Sequence, residues 1–232
     1  MKKAFTMIEL VFVIVIVGIL SAMIAPNFQR NSLREAADQV ISHIRYTQHL
    51  AMMDDKYDPN DSKWFKGRWQ MYFSKTTLGS DDKWTYSIFS DTGNYDGNPN
   101  KIELATNPLD ATKYLTGGYS GTVQFDEPES TSELLLGKKY GILDIDFLGG
   151  CSAPINQQRI AFDYQGRLLY KNLGGSLPTS GLTSLYKRNN ELRLVTTQCI
   201  VQLCLTSPCT SATNENKIEI AIEPETGYAH II

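Results

Sequence analysis

Met1-Lys2-Lys3-Ala4-Phe5-Thr6-Met7-Ile8-Glu9-Leu10 opens the chain, and the apolar run it begins continues to Pro26. From Leu10 to Gln29 no residue is charged, a stretch of 20 residues. A helix rising about 1.5 Å per residue over that length crosses a bilayer core. One carboxylate, Glu9, stands at the mouth of this segment, where hydrocarbon makes a lone charge costly and demands a cationic partner. A secretory signal peptide has its small-residue cleavage site after the apolar core. Here the small residue, Ala4, comes before it, so cleavage there keeps the apolar helix. The β-branched run from Val11 to Val17 is also unlike a buried core helix of a soluble domain. Lys2 and Lys3 flank the segment on its N-terminal side, which leaves the N-terminus in the cytoplasm by the positive-inside tendency.

The stretch Lys2 to Leu10 resembles the class III signal of type IV prepilins and type II secretion pseudopilins. The resemblance implies that a prepilin peptidase cuts between Ala4 and Phe5 and methylates the new amine of Phe5. Family members usually carry glycine before the cut, where this chain has Ala4. Glu9 matches the family's glutamate four residues after the new N-terminus. Gly18 and Pro26 fall where pilin helices carry glycine and proline. Such a protein sits in the inner membrane of a Gram-negative cell, single-pass, with its C-terminal domain in the periplasm. Its implied partners are other pilins or pseudopilins, the peptidase, an inner-membrane assembly platform and the lipid bilayer. Glu9 then sets axial register, because a buried carboxylate without a partner costs several kcal/mol and the Phe5 amine of a neighbouring subunit supplies one.

After Pro26 the chain keeps a helical rhythm. Leu33, Ala36, Ala37, Val40, Ile41, Ile44 and Ala51 recur three and four residues apart and mark one apolar face. The spacing predicts one helix from Phe5 to Asp54, kinked at Pro26 for want of a backbone donor, or else a boundary there between two helices. Residues 1–4 read as leader, 5–29 as the membrane and filament-core helix, 30–56 as its amphipathic continuation and 57–232 as a β-rich periplasmic domain. Strands are expected at Trp69–Phe73, Trp84–Phe89, Tyr140–Phe147, Arg159–Asp163, Arg167–Tyr170, Leu192–Leu205, Lys217–Glu223 and Tyr228–Ile232. Turn residues join them at Asp163–Gly166 and Pro224–Gly227. The fold class is α+β, a long N-terminal helix packed on an antiparallel sheet, similar to the lollipop of pilins. The length and layout of the β-rich part resemble minor pseudopilins of the H type.

Cys151, Cys199, Cys204 and Cys209 all lie in the exported half, where disulfides are permitted. Three pairings are possible. Cys199 and Cys204 are an odd number of positions apart and face opposite sides of a regular strand, which disfavours pairing them with each other; the expected set is Cys151 with Cys199, stitching the Gly149-Gly150 loop to a strand, and Cys204 with Cys209, closing a short loop. A four-cysteine zinc site is the rival, although no CxxC knuckle is present. The densest run of oxygen donors is Ser90 to Asn100. Counted from Thr92, a calcium-loop template takes Thr92, Asn94, Asp96 and Glu103 as ligands with Gly97 among them. Calcium loops in several pseudopilins add to that expectation by resemblance; a plain polar loop is the alternative.

Catalytic groupings are absent: His43, His49 and His230 are isolated, and Asp144 and Asp146 share a strand face as solvated carboxylates do. The chain reads as a structural subunit. Net charge is −3 at pH 7, and loss of the leader lysines makes the exported part more acidic. Lys63, Lys66 and Arg68, interleaved with Trp64, Phe65 and Trp69, form the one basic-aromatic cluster; it reads as a charged strand edge before it reads as a nucleic-acid contact. The expected function is that of a minor pseudopilin in a type II secretion or pilus-like filament, with a type IV pilus or competence (DNA-uptake) pilin as the alternative.

Overall fold

The computed structural model describes residues 6–24, 31–93, 95–153, 158–169, 182–184, 187–188, 191–192 and 194–232. Of these, 22–24, 182–184, 187–188 and 191–192 are described in backbone only. Two compact units result, Met1–Asn31 and Ser32–Ile232. The first contains α1 (Met7–Ile24). The second begins with α2 (Ser32–Met53). Pro26, and with it the expected kink, lies outside the described residues.

The boundary at residue 31 has a physical cause. Each member of the stripe read from the sequence, Leu33 to Ala51, is buried, and Thr47 joins it by donating its hydroxyl to the carbonyl of His43 at 2.7 Å. Ala36 and Ala37 are fully buried; small side chains let the helix backbone approach the strands beneath it. Among the described residues two four-stranded sheets lie under α2, and every strand pair in them is antiparallel. The first has the order β2-β1-β6-β7, built from β1 (Trp69–Ser74), β2 (Thr85–Ser90), β6 (Arg159–Phe162) and β7 (Leu168–Leu169). The second has the order β13-β12-β11-β5, built from β5 (Asp144–Gly149), β11 (Cys199–Cys204), β12 (Lys217–Ile222) and β13 (Ala229–Ile231). A hairpin of β3 (Thr106–Asn107) and β4 (Asp110–Tyr114) and a small sheet of β8 (Leu182–Ser184), β9 (Lys187–Arg188) and β10 (Glu191–Leu192) complete the strands. The layout is α+β and consistent with a pilin-like fold.

The two sheets meet beneath the helix where Phe73 and Phe147 pack edge to face, ring centres 5.4 Å apart. Met71, Phe73, Tyr86, Ile88, Ile160 and Phe162 of the first sheet share one core with Ile145, Phe147, Val201, Leu203, Ile220 and Ile222 of the second. The first sheet is buried on its other face as well. Thr85 and Ser87 alternate with Tyr86 and Ile88, a pattern that ordinarily turns the hydroxyls to water. Here the segment 104–135 covers them. Thr85 donates to the carbonyl of Leu134 at 3.1 Å, and the hydroxyls of Ser87 and Thr116 bond at 2.6 Å. Tyr72 and Phe89 on that face pack with Leu104 and Val123 in a second, smaller core.

Two strand boundaries differ by more than two residues. The segment read as a strand from Tyr140 begins as the last turn of a short helix, α4 (Leu136–Tyr140), following α3 (Thr77–Ser80) in chain order. Gly141 adopts φ +77°, which ends the helix, and the strand starts only at Asp144. The strand read from Leu192 to Leu205 is interrupted and becomes regular at Cys199.

Gln48 of α2 ties the two sheets at their turns. Its Nε2 donates to the carbonyl of Gly166, in the β6–β7 turn, and to that of Thr226, in the β12–β13 turn, both at 2.7 Å. A Cβ on Gly227 would lie 2.4 Å from the Gly166 carbonyl, so only glycine lets the turns close on each other.

Two disulfides join Cys151 to Cys199 and Cys204 to Cys209, with sequence separations of 48 and 5. The first stitches the Gly149–Gly150 turn to the start of β11, where Gly149 pairs with Cys199. Loop closure assigns about 4 kcal/mol to the long loop and about 2 kcal/mol to the short one. Replacing Cys151 and Cys199 by serine is therefore expected to lower the melting temperature of the detergent-solubilised chain by roughly 10 °C, and replacing Cys204 and Cys209 by roughly half as much. Differential scanning fluorimetry of both double variants checks this; a larger drop for the short loop would reject it.

Candidate functional site

The loop after β2 is organised around buried carboxylates. Glu103, almost fully buried, accepts the Gly93 N–H on Oε1 at 2.8 Å and both the Asn100 N–H and its Nδ2 on Oε2 at 3.1 Å. With Asn100 it forms a capping box on the short 3₁₀ turn Lys101–Glu103. Asp96 accepts the Asn98 N–H at 2.7 Å, and Thr92 donates to the Ser90 carbonyl at 3.4 Å. Asn94 lies outside the described residues. The calcium template asks Glu103 to turn both oxygens to a cation; instead both hold backbone donors of its own loop. Among the described residues no group of three or more His, Cys, Asp or Glu side chains gathers into a metal cage. The oxygen-rich run folds here as a loop clasped by its own N–H groups.

Asp91, the residue before that template, is fully buried. Its Oδ2 accepts the Gly97 N–H at 2.9 Å, while Oδ1 is buried with no partner among the described residues. Burial first, then the negative charge of Glu103, push its pKa up to about 7; the Gly97 N–H and the Arg159 charge pull the other way. Arg159 is itself buried, with its guanidinium 3.8 Å above the Tyr72 ring and Nη1 donating to Gln70 Oε1 at 3.1 Å.

The basic-aromatic cluster does not form a cationic surface. Lys66 and Arg68 are buried, at 8 % and 5 % exposure, and only Lys63 of the three stays exposed. Arg68 Nε donates to the Phe65 carbonyl at 2.6 Å. Burial, with Lys63 close by, lowers the Lys66 pKa. Trp69 donates instead to an acid, Asp54, at 2.9 Å. Phosphate contacts need solvent-facing cations, and two of these three are turned inward.

Among the histidines, His43 is half-buried against the first sheet. Nδ1 lies 2.7 Å from the Tyr86 hydroxyl, and burial lowers its pKa to about 4, so it stays neutral. Asp144 accepts the Cys209 N–H at 2.9 Å, and Asp146 accepts the Phe147 N–H at 2.9 Å. Both carboxylates serve the strand and its neighbouring loop.

At the other end of the chain, Thr6 and Glu9 form a second capping box. Glu9 Oε2 accepts the Thr6 N–H at 2.8 Å and the Thr6 hydroxyl at 2.7 Å. The Glu9 N–H in turn reaches Thr6 Oγ1 at 3.4 Å. Thr6 and Glu9 are three apart, the spacing at which cap and N3 residues satisfy each other's backbone donors. Beyond them α1 is apolar, and every described side chain from Met7 to Ser21 is exposed within the single chain.

Residues 1–25 match the family model described as the prokaryotic N-terminal methylation motif. The chain carries that motif. The match is consistent with the type IV pilin and pseudopilin family, whose members are structural subunits, and it supports a pilin-like subunit in general. The motif implies processing by prepilin peptidase, assembly with other pilins and anchoring in a membrane. No solved structure matches the chain. Among the described residues no helix is long and apolar enough to cross a membrane. The uncharged run reaches Gln29, past Ser21, the last side chain described in that segment. Ala4 and Phe5 lie outside the described residues.

The raised pKa of Asp91 fixes a pH dependence. Between the unfolded value near 4 and the folded value of about 7 the native state holds a proton that the unfolded state has lost. The stability this gives is full below about pH 4 and is lost as pH rises through about 7. Asp91→Asn keeps an acceptor for Gly97 and removes the charge. The variant is expected to melt several degrees above the parent at pH 8, at about 2–4 °C per kcal/mol, and close to it at pH 4. Melting curves of both proteins across that range are the check; a gap that does not widen with pH would reject the assignment.

Proposed function

We propose that this chain is a minor pseudopilin of a type II secretion or pilus-like filament, inserted in the inner membrane and assembled after cleavage between Ala4 and Phe5 and methylation of Phe5. The observation that carries the reading is Glu9, a lone carboxylate at the edge of the apolar run within the N-terminal methylation motif. The chain works by polymerising and not by catalysis. Lys2 and Lys3 hold the N-terminus in the cytoplasm, the apolar run spans the bilayer once, and Ser32–Ile232 lies in the periplasm. The packed, disulfide-bonded unit of that length supports a specialised subunit over a short major one.

In the free subunit, Thr6 occupies the Glu9 carboxylate. On assembly the amine of Phe5 from a neighbour takes its place, and only a subunit at the right axial stagger can deliver that amine. A misplaced subunit leaves Glu9 with its Thr6 bonds and no neutralising amine, which in apolar surroundings is less favourable than the paired state. The inward turn of Lys66 and Arg68 speaks against direct DNA contact through that cluster, which favours the secretion reading over the competence one.

Quantitative mass spectrometry on sheared surface filaments and on the remaining envelope of the same cells tests this. The parent chain is expected in the envelope, in trace amounts, starting at Phe5. Dominance in the sheared fraction would make it a pilus subunit. Glu9→Ala is expected to insert in the membrane at parental levels but to be lost at least ten-fold from filaments induced by overproducing the major subunit. Undiminished incorporation would sink the register role of Glu9.

A further inference from the structure

Strand β13 is an edge of its sheet, and its free side faces α2 across a groove of about 500 Å³. Two bonds fix which peptide groups look into that groove. Ile232 N–H donates to the Glu219 carbonyl and Glu223 N–H to the Tyr228 carbonyl, each at 3.0 Å, flanking the pairs Ile220–Ile231 and Ile222–Ala229. In an antiparallel ladder these are the pairs that do not bond each other. The peptide groups of Ala229 and Ile231 therefore point away from β12. The Ala229 carbonyl accepts Nη2 of Arg45 at 2.9 Å. Among the described residues nothing bonds the N–H or the carbonyl of Ile231.

The walls of the groove carry charge. Arg34, Asp38 and Arg45 line it from α2 and His230 from β13, with Ile41 and Ile231 giving it an apolar strip. Asp38 is engaged by Arg34 at 3.2 Å and Glu223 stands 4.0 Å from His230, whereas Arg45 meets a carbonyl and an aromatic ring. Arg45 is held in place: besides its bond to Ala229, its guanidinium rests 5.4 Å from the centre of the Tyr228 ring, which stacks on His230 at 5.3 Å. A guanidinium has five N–H donors, and an anchored one is prepared to meet a carboxylate at little ordering cost.

We propose that this groove takes an extended, acidic segment of a partner protein by strand addition to β13. The segment's backbone bonds Ile231, an apolar side chain rests on Ile41 and Ile231, and an aspartate or glutamate two residues on meets Arg45. Main-chain pairing supplies affinity, and the cationic wall supplies the choice of partner. All the lining residues belong to the unit Ser32–Ile232, so the site does not depend on the role assigned to the N-terminal segment.

The probe is a fluorescein-labelled hexapeptide, Thr-Val-Thr-Asp-Thr-Val, with valine and aspartate two residues apart on one face, read by anisotropy against the full chain in detergent micelles. Saturable binding is expected, at least ten-fold tighter than that of the same peptide with lysine in place of aspartate. Ile231→Pro, which deletes the outward N–H, is expected to abolish it, and Arg45→Gln to erase the preference for aspartate over lysine. Should a variant melt early, the parent protein decides alone: the hexapeptide N-methylated on alternate residues of its bonding edge is expected not to bind. No saturable binding of the aspartate peptide, or equal binding of the N-methylated peptide, would overturn the proposal.

Discussion

One helix face holds the globular unit together. The stripe Leu33 to Ala51 is the surface on which two separate sheets converge, and neither sheet closes its own core. A four-stranded sheet with one apolar face needs a second layer; here a single helix serves both. That requirement explains the small residues at Ala36, Ala37 and Ala51, since a bulkier side chain would lift α2 from the contact between Phe73 and Phe147. It also explains why Gln48, on the flank of the stripe, is bonded to a turn from each sheet. Loss of the helix would expose two apolar sheet faces at once, so its packing is a condition of the fold.

Covering the first sheet on both faces has an electrostatic consequence. A strand continuing past Ser90 carries Asp91 under the same segment that covers Phe89, and the charge goes in with it. The surrounding loop meets this with N–H donors: Gly97 for Asp91, and Gly93 and Asn100 for Glu103. Glycines at positions 93 and 97 present their backbone to those carboxylates, and Gly97 does so at φ +83°. Two buried acids side by side leave one of them holding its proton near neutrality. The loop is thus shaped by charge burial.

Much of the fold was legible because its signals are local. The α2 stripe shows the 3.6-residue period, and aromatic and β-branched runs mark β1, β2, β11 and β12. The segment from Tyr140 misled because β-prone residues there are overridden by a glycine at positive φ, Gly141. The hairpin β3–β4 was missed because its residues are polar and mostly exposed. Lys66 and Arg68 read as a surface cluster because their burial depends on chain far away: the stretch Ser90–Thr92 packs on Gly67 between them, and no window around Trp69 contains it. Glu103 was assigned by counting along a ligand template. A second pattern, Asn100 followed three residues later by glutamate, stood in the same letters and is the capping box that the loop forms.

The same pattern recurs at the N-terminus, and it changes how the register device should be understood. If Glu9 were bare in the free subunit, any cation would relieve it and pairing would be strong but indiscriminate. Thr6 already supplies it with two donors. On the pilin-like reading, pairing with a neighbour's amine is then an exchange of partners, and its net gain is smaller than the cost of a bare buried charge. A small gain that demands one geometry discriminates better than a large one that tolerates several, because misaligned subunits simply revert to the internal bond. The strength of the filament must therefore come from elsewhere, and the exposed apolar side chains of α1 are the surface available to provide it. On that reading Glu9 chooses where the surface packs, and the hydrocarbon contacts hold it there.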